Sequence, residues 1–232
     1  MDETNRTNTD FVLATSELLI QWLAKIPFLE KETKRLLFEI GCIYKSNMPC
    51  MYQIYHAVGT NQNWSDEERK IRCKLQNNQY TLMYNGANLI FTKPQFQGIL
   101  AGMIDILEDI LPLGSVVDLK KEFFKDMLTD IDKIEQIRVV ITNRFLYQEG
   151  DTSYFTYAGV VYPIGIFRSK QMLHFTSAVV ENVVHTGYSD KQEEAYVFFM
   201  KQEMIFEKRM HSFGFSTEEE RERYLQRQKV PE

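Results

Sequence analysis

Five cations and no carboxylate stand between Arg69 and Ile104: Arg69, Lys70, Arg72, Lys74 and Lys93. The same segment carries Tyr80, Tyr84, Phe91 and Phe96. Cations follow a phosphate backbone, and flat rings stack on unpaired bases at about 1–3 kcal/mol per base. A carboxylate on that path would repel the phosphates, so an acid-free run matters more than a high total of bases. A second stretch, Arg138 to Lys170, has the same character. It holds four bases (Arg138, Arg144, Arg168, Lys170), two acids and seven aromatics, among them Phe145, Tyr147 and Tyr157. Between the two stretches, Asp105 to Glu135 holds nine acids against four lysines. Charge is thus segregated along the chain.

Strands and turns must position these side chains. Ile71, Cys73 and Leu75 alternate with Arg72, Lys74 and Gln76, and Tyr80, Leu82 and Tyr84 alternate with Thr81 and Met83, which predicts half-buried strands. Asn77-Asn78 and Asn85-Gly86 are hairpin-turn dipeptides. Strands are therefore expected near 70–76, 79–84 and 88–92. Lys93-Pro94 then opens a helix whose apolar side is Phe96, Ile99, Leu100, Met103, Ile104, Leu107 and Ile110. Helices are also expected over Asp10–Ile26 and Glu30–Tyr44, and an ambiguous apolar segment over Tyr52–Val58. Ser65-Asp66-Glu67-Glu68 has the form of a capping box that starts a helical turn. Further along, the pattern predicts a helix from Leu119 to Ile134 and strands over Ile137–Tyr147, Tyr154–Tyr157 and Val160–Phe167. Lys170 to Val184 reads as a helix, followed by a long helix from Ser189 to about His211 and a charged helix from Ser216.

A pattern recurs at an offset of 76 residues: Phe91, Gln95 and Phe96 fall on Phe167, Gln171 and Met172, and Ile99, Met103, Ile104 and Leu107 on Phe175, Val179, Val180 and Val183. Repeats of this kind decide a fold assignment. The expected class is α+β, with two β-sheet-plus-helix units flanked by N- and C-terminal helices. The expected segments are 1–50 (helical), 51–135 (first unit), 136–188 (second unit) and 189–232 (C-terminal helices), all in one domain.

The chain has 232 residues, 44% hydrophobic and 13% aromatic, which suffices for a packed core. Its formal net charge of −5 argues against a generic nucleic-acid binder, so the local distribution carries that case. Cys42, Cys50 and Cys73 are odd in number and widely spaced, as expected of reduced thiols in an intracellular protein. No apolar run is long enough for a transmembrane helix, so no membrane partner is expected.

No catalytic residue, metal site or cofactor is expected. The four histidines (His56, His174, His185, His211) form no HxxxH or HExxH pair, although Glu181 and His185 are four apart. Phosphate-cradling GxxxxGK[ST] and GxGxxG loops are missing, as is a GxSxG elbow. Tyr196, Phe199, Met200, Phe206 and Met210 form an apolar stripe that suits a core or a partner-binding face.

Strand, strand, strand, helix, with YNGANLIFTKPQFQGIL at the junction, resembles the positive-cofactor-four family of single-stranded DNA-binding coactivators. Two such units in one chain resemble the Whirly family, in which tandem sheet-plus-helix repeats pack helix to helix. That resemblance covers about half of the chain, Ile71–Phe91 and Ile137–Phe167 included, and implies a curved sheet that binds a single strand, with helices pairing the copies. A shorter stretch, Val160–Met172 (VVYPIGIFRSKQM), is similar to part of the nucleocapsid proteins of orthobunyaviruses, and implies an RNA-sequestering protein. The expected function is a non-enzymatic single-stranded nucleic-acid binder, of DNA or RNA, serving transcription or replication as an intracellular homo-oligomer. Arg69, Lys70, Arg72, Lys74, Lys93, Arg138, Arg144, Arg168 and Lys170 would contact phosphates. Tyr80, Tyr84, Phe145, Tyr147 and Tyr157 would stack. Two alternatives are a viral RNA-encapsidating nucleoprotein and a protein–protein interaction or scaffold module that binds no nucleic acid.

Overall fold

Alternating burial builds the first sheet of the computed structural model, which describes residues 15–124, 135–165 and 172–228. The chain divides into two units, Met1–Glu108 and Asp109–Glu232. In the first, helix α1 (15–24), α2 (Lys31–Tyr44) and α3 (Met48–Gly59) precede four strands, β1 (Trp64–Asp66), β2 (Ile71–Gln76), β3 (Gln79–Tyr84) and β4 (Ala87–Thr92), and then α4 (Lys93–Leu107). The strands form an antiparallel meander in chain order. Both residues of each two-residue turn lie at positive φ: Asn77 and Asn78, Asn85 and Gly86. This is the backbone that twists with the flanking strands and that Asn and Gly tolerate. Alternation puts Ile71, Cys73, Tyr80, Leu82, Leu89 and Phe91 on the buried face with Phe96 of α4, while Arg72, Lys74, Asn88 and Ile90 face solvent. Phe96 stacks on Phe91, centroids 5.3 Å apart. Thr92 and Gln95 cap α4 reciprocally, with Pro94 in its first turn.

Two local expectations fail in this unit. Pro49 does not interrupt the chain but sits in the first turn of α3, where its missing N–H costs nothing. Ser65 and Asp66 belong to β1, and Asp66 instead accepts the Arg69 N–H of a tight turn at 3.0 Å.

The second unit is a curled sheet with helices after it. Its strands are β5 (Val116–Leu119), β6 (Ile137–Leu146), β7 (Ser153–Val161), β8 (Leu173–Phe175), β9 (Val180–His185) and β10 (His211–Ser212). The hydrogen-bonded order is β10-β7-β6-β5-β9, with β8 also on β7. Every pairing is antiparallel except the two-residue addition of β10 to β7. In a flat sheet β8 and β9 would stand four strand spacings apart, about 19 Å. Only Thr176 and a 3-10 turn (Ser177–Val179) join them, a reach of about 14 Å at most, so the sheet must roll up. The Lys120 N–H donates to Val179 O at 2.9 Å, tying the turn to the end of β5. Val117, Leu119, Ile137, Val139, Ile141, Tyr157, Leu173 and Phe175 then form one core inside the roll. β5 to β8 thus follow one another as an antiparallel meander, and β9 returns after the 3-10 turn to pair with β5, so the sheet curls into a small barrel.

The class is α+β, with two sheets and flanking helices, but the second unit lacks the expected helix over Lys170–Val184. Its described residues form β8, the 3-10 turn and β9. Thr176, Val179, Val180, Val183 and Val184 are β-branched and prefer extended backbone, and two register irregularities in the β5–β9 pairing blur the alternation. The offset of 76 therefore pairs α4 positions with strand positions. Likewise, Leu119 ends β5 and is followed by a short 3-10 turn, Lys121–Phe123, in place of a helix start; 125–134 lie outside the described residues. The two strands expected on either side of Ala158 are one, β7. Asp190 caps α5 (Lys191–Lys201) by accepting the Gln192 and Glu193 N–H groups. The helix continues as a π-helical stretch to Glu207, and α6 (Glu218–Gln228) follows.

Candidate functional site

Four of the nine expected phosphate contacts are neutralised by carboxylates. Arg69 pairs with Asp66 at 3.1 Å and lies over the Tyr44 ring. Arg72 pairs with Glu67 at 2.6 Å, and Arg138 with the buried Asp118 at 2.8 Å. Arg144 is the extreme case: its side chain is 3% exposed, it grips Glu193 through both terminal nitrogens, and it lies over the Tyr196 ring. It is a buried structural ion pair and cannot reach a ligand phosphate. Lys93 donates to Gly59 O and Asn61 Oδ1, tying α4 to the end of α3. Lys70 and Lys74 are exposed, and Arg168 and Lys170 lie outside the described residues.

The expected stacking rings are mostly inside. Tyr80 is fully buried and donates its hydroxyl proton to Val58 O at 3.0 Å. Tyr157 is 1% exposed, and its hydroxyl oxygen accepts the Leu111 N–H at 2.9 Å. Phe145 is buried between Tyr154 and Tyr196, with its backbone at φ 54. Alternation correctly put these rings on one side of their strands, but that side is the covered one. Tyr84 is half-buried, and Tyr147 is exposed with the Lys208 ammonium over its ring. Among the described residues, neither sheet thus presents cations and rings on one open face. The apolar stripe expected from Tyr196 to Met210 also divides: Met210 is core, whereas Phe199 is exposed.

What the second unit does present is an aromatic groove beside α6. Thr217 and Glu220 start that helix with a reciprocal cap: Glu220 N–H donates to Thr217 Oγ1 at 3.3 Å, and Thr217 N–H donates to the Glu220 carboxylate at 2.7 Å. Eleven residues, nine of them charged or amide-bearing, would scarcely hold a helix alone, so docking fixes it. Tyr224 supplies the seat, 4.9 Å from the Phe155 ring and 5.2 Å from Phe213, which itself stacks on Phe155 at 4.3 Å. The Tyr224 hydroxyl lies 3.2 Å from His174 Nδ1. At the far end, Arg227 binds Asp151 at 2.5 Å and Gln148 at 3.0 Å. Thr152 donates to Glu220, and His211 Nε2 lies 3.3 Å from the same carboxylate.

Cavities flank this seat. One, of about 400 Å³, is polar-rimmed and bounded by Asp151, Thr152, Glu220, Arg223 and Arg227. The other, of about 370 Å³, runs between α6 and the 3-10 turn of the barrel, with Phe123, Phe155, Phe175, Phe213, Tyr224 and Leu225 on its walls. Its size is that of sites that enclose a small ligand or a side chain. Burial keeps the His174 imidazole below its ordinary pKa and so neutral, and pushes the Tyr224 phenol up. Burial by itself would raise Glu220, but hydrogen bonds from Thr152 and Thr217 and the nearby His211 more than offset it, and this carboxyl titrates low. Apart from Arg221 at its edge, the groove walls are thus uncharged and mostly aromatic, and Asp151, Thr152, Glu220 and Arg227 line the other cavity. None of the groove residues was among the expected site residues. The available signals were Phe123-Phe124 and Phe213-Gly214-Phe215, adjacent rings outside any amphipathic period.

Residues 110–198 match a family described as Domain of unknown function (DUF4176). The matched segment begins just past the division at Glu108/Asp109 and contains β5 to β9 and most of α5. No curated protein and no solved structure matches the chain. Among the described residues, no helix is long and apolar enough to cross a membrane.

Proposed function

We propose that this chain is a non-enzymatic protein-binding module that works inside the cell and takes a partner's apolar side chain into the groove beside α6. The observation that carries the proposal is the cavity of about 370 Å³ walled by aromatic rings, open beside a small β-barrel. Aromatic pockets of this size anchor peptide recognition, because one buried side chain supplies most of the binding energy. An intracellular setting is supported by three free thiols, Cys42 exposed among them. Selection of displayed peptides against the intact protein tests the proposal, with calorimetry on the wild type and on Ala178→Arg, which projects a long side chain across the cavity. Binders weakened at least tenfold by that substitution are expected. Binders indifferent to it, or none at all, overturn the proposal.

Single-strand binding is favoured by one observation in the other unit. The solvent face of β2–β4 carries Lys74 and Arg72 beside Thr81, Met83 and Asn88, with no acid on those strands. Oligo-dT and oligo-U titrations at about 50 mM salt, where phosphate contacts are strong, decide this alternative. It requires binding that weakens steeply with salt and with Lys74→Glu; protein binding through the groove requires neither.

A further inference from the structure

α6 bears three arginines within its described side chains, and two are already engaged: Arg223 with Glu219 at 2.5 Å and Arg227 with Asp151 at 2.5 Å. Arg221 pairs with no carboxylate among the described residues, is exposed, and is the arginine that lines the aromatic cavity. The cavity floor offers nothing to balance it. Phe155, Phe175 and Phe213 are apolar, and His174, held neutral by burial, spends Nδ1 on the Tyr224 hydroxyl. A guanidinium at the lip of an apolar hole recognises two things at once: an apolar group that fills the hole, and a carboxylate at its edge that accepts the planar N–H donors. A hydroxyl or amide at the same place would forgo the charge, and a second cation would be repelled.

We propose, resting on the groove as the binding site, that its ligand is an acidic peptide segment in which an aromatic or large aliphatic residue stands beside a Glu or Asp. The apolar side chain enters between Phe155, Phe213 and Leu225, and the neighbouring carboxylate meets Arg221 at the rim. The adjoining cavity contributes no competing cation, since Arg223 and Arg227 are held by their own acids. Specificity is therefore divided: rings set affinity, and Arg221 sets the preference for acidic neighbours.

The test is a titration of the intact chain, wild type and Arg221→Gln, with three short acetylated and amidated peptides. One peptide carries a central Phe-Glu, one Phe-Gln and one Ala-Glu in the same flanking sequence. The wild type is expected to bind Phe-Glu roughly five- to tenfold more tightly than Phe-Gln, the range of a charge-assisted contact at a half-exposed rim. Arg221→Gln is expected to bind both at the weaker affinity, because the preference belongs to the pair. Ala-Glu is expected to bind neither protein measurably. Equal affinity of Phe-Glu and Phe-Gln for the wild type, or a preference that survives Arg221→Gln, overturns the acidic specificity and leaves the groove in place. Indifference to the Phe→Ala change overturns the groove along with it. Arg221→Gln keeps α6 anchored through Tyr224 and Arg227, and an unchanged melting temperature confirms this.

Discussion

Replacing Tyr157 by Phe separates a structural ring from a stacking one. The variant keeps the aromatic face and its packing on Phe175, centroids 5.4 Å apart. It removes only the oxygen that accepts the Leu111 N–H at 2.9 Å and lies 3.5 Å from Ser177 Oγ. An amide left without its acceptor inside a folded unit costs about 1–3 kcal/mol. Leu111 is half-buried, so water relieves part of that, and the expected loss is about 1–2 kcal/mol. At about 3–5 °C of Tm per kcal/mol for a unit of this size, the melting point should drop by about 3–10 °C. Tyr188, exposed to solvent, is the control, and Tyr188→Phe should leave the Tm unchanged. Differential scanning calorimetry of the intact chain reads both. A base-stacking Tyr157 would behave in the opposite way, since Phe stacks as well as Tyr and no buried amide depends on the hydroxyl. An unchanged Tm for Tyr157→Phe would refute the structural role.

Three further outcomes follow from the same geometry. Glu193→Gln removes the partner of the buried Arg144 and should cost about 3–5 kcal/mol in urea unfolding, the penalty of stranding a buried charge, whereas a surface pair would cost under about 1 kcal/mol. Gly102→Ala would set a Cβ 2.0 Å from Trp22 Cζ2, within the first unit, so the ring must move; a blue- or red-shifted tryptophan emission and a loss of about 1–3 kcal/mol are expected, and a wild-type spectrum with wild-type stability would contradict the packing. His174 titrates lower folded than unfolded because burial disfavours its cation. The unfolded chain therefore binds the extra proton first, and stability should be lost as pH falls below about 6.5. His174→Gln should flatten that part of the Tm–pH profile, and a profile identical to wild type would show that another group carries it.

Short-range chemistry was plain in the chain: Asn77-Asn78 and Asn85-Gly86 are the expected turns, and Lys93-Pro94 opens α4 as expected. Alternation also told which side chains share a face, Tyr80 with Leu82 for example. It did not tell which face would be covered, and α4 covers the ringed one. The acid-free window misled for a simple reason. Its edge at Arg69 excluded Asp66, Glu67 and Glu68, the carboxylates that pair with Arg69 and Arg72. Arg144 finds Glu193 across 49 positions, a contact no local pattern announces. Over Leu173–His185 the apolar spacing suits a helix, yet β-branched residues and a twice-irregular register make it two strands, and with them the barrel that forms the groove. No local pattern ties Tyr224 and Phe213 to their partners, Phe155 and His174, which lie on strands β7 and β8.

Amide chemical shifts of the isotope-labelled intact chain, titrated in parallel with the Phe-Glu peptide and with oligo-dT, test the central proposal most directly. Saturable peptide-induced shifts at Ala178, Gly214 and Leu225, with β2–β4 unmoved by oligo-dT at about 50 mM salt, are the expected result. Oligo-dT shifts along Ile71–Thr92, with the groove amides indifferent to the peptide, would contradict it.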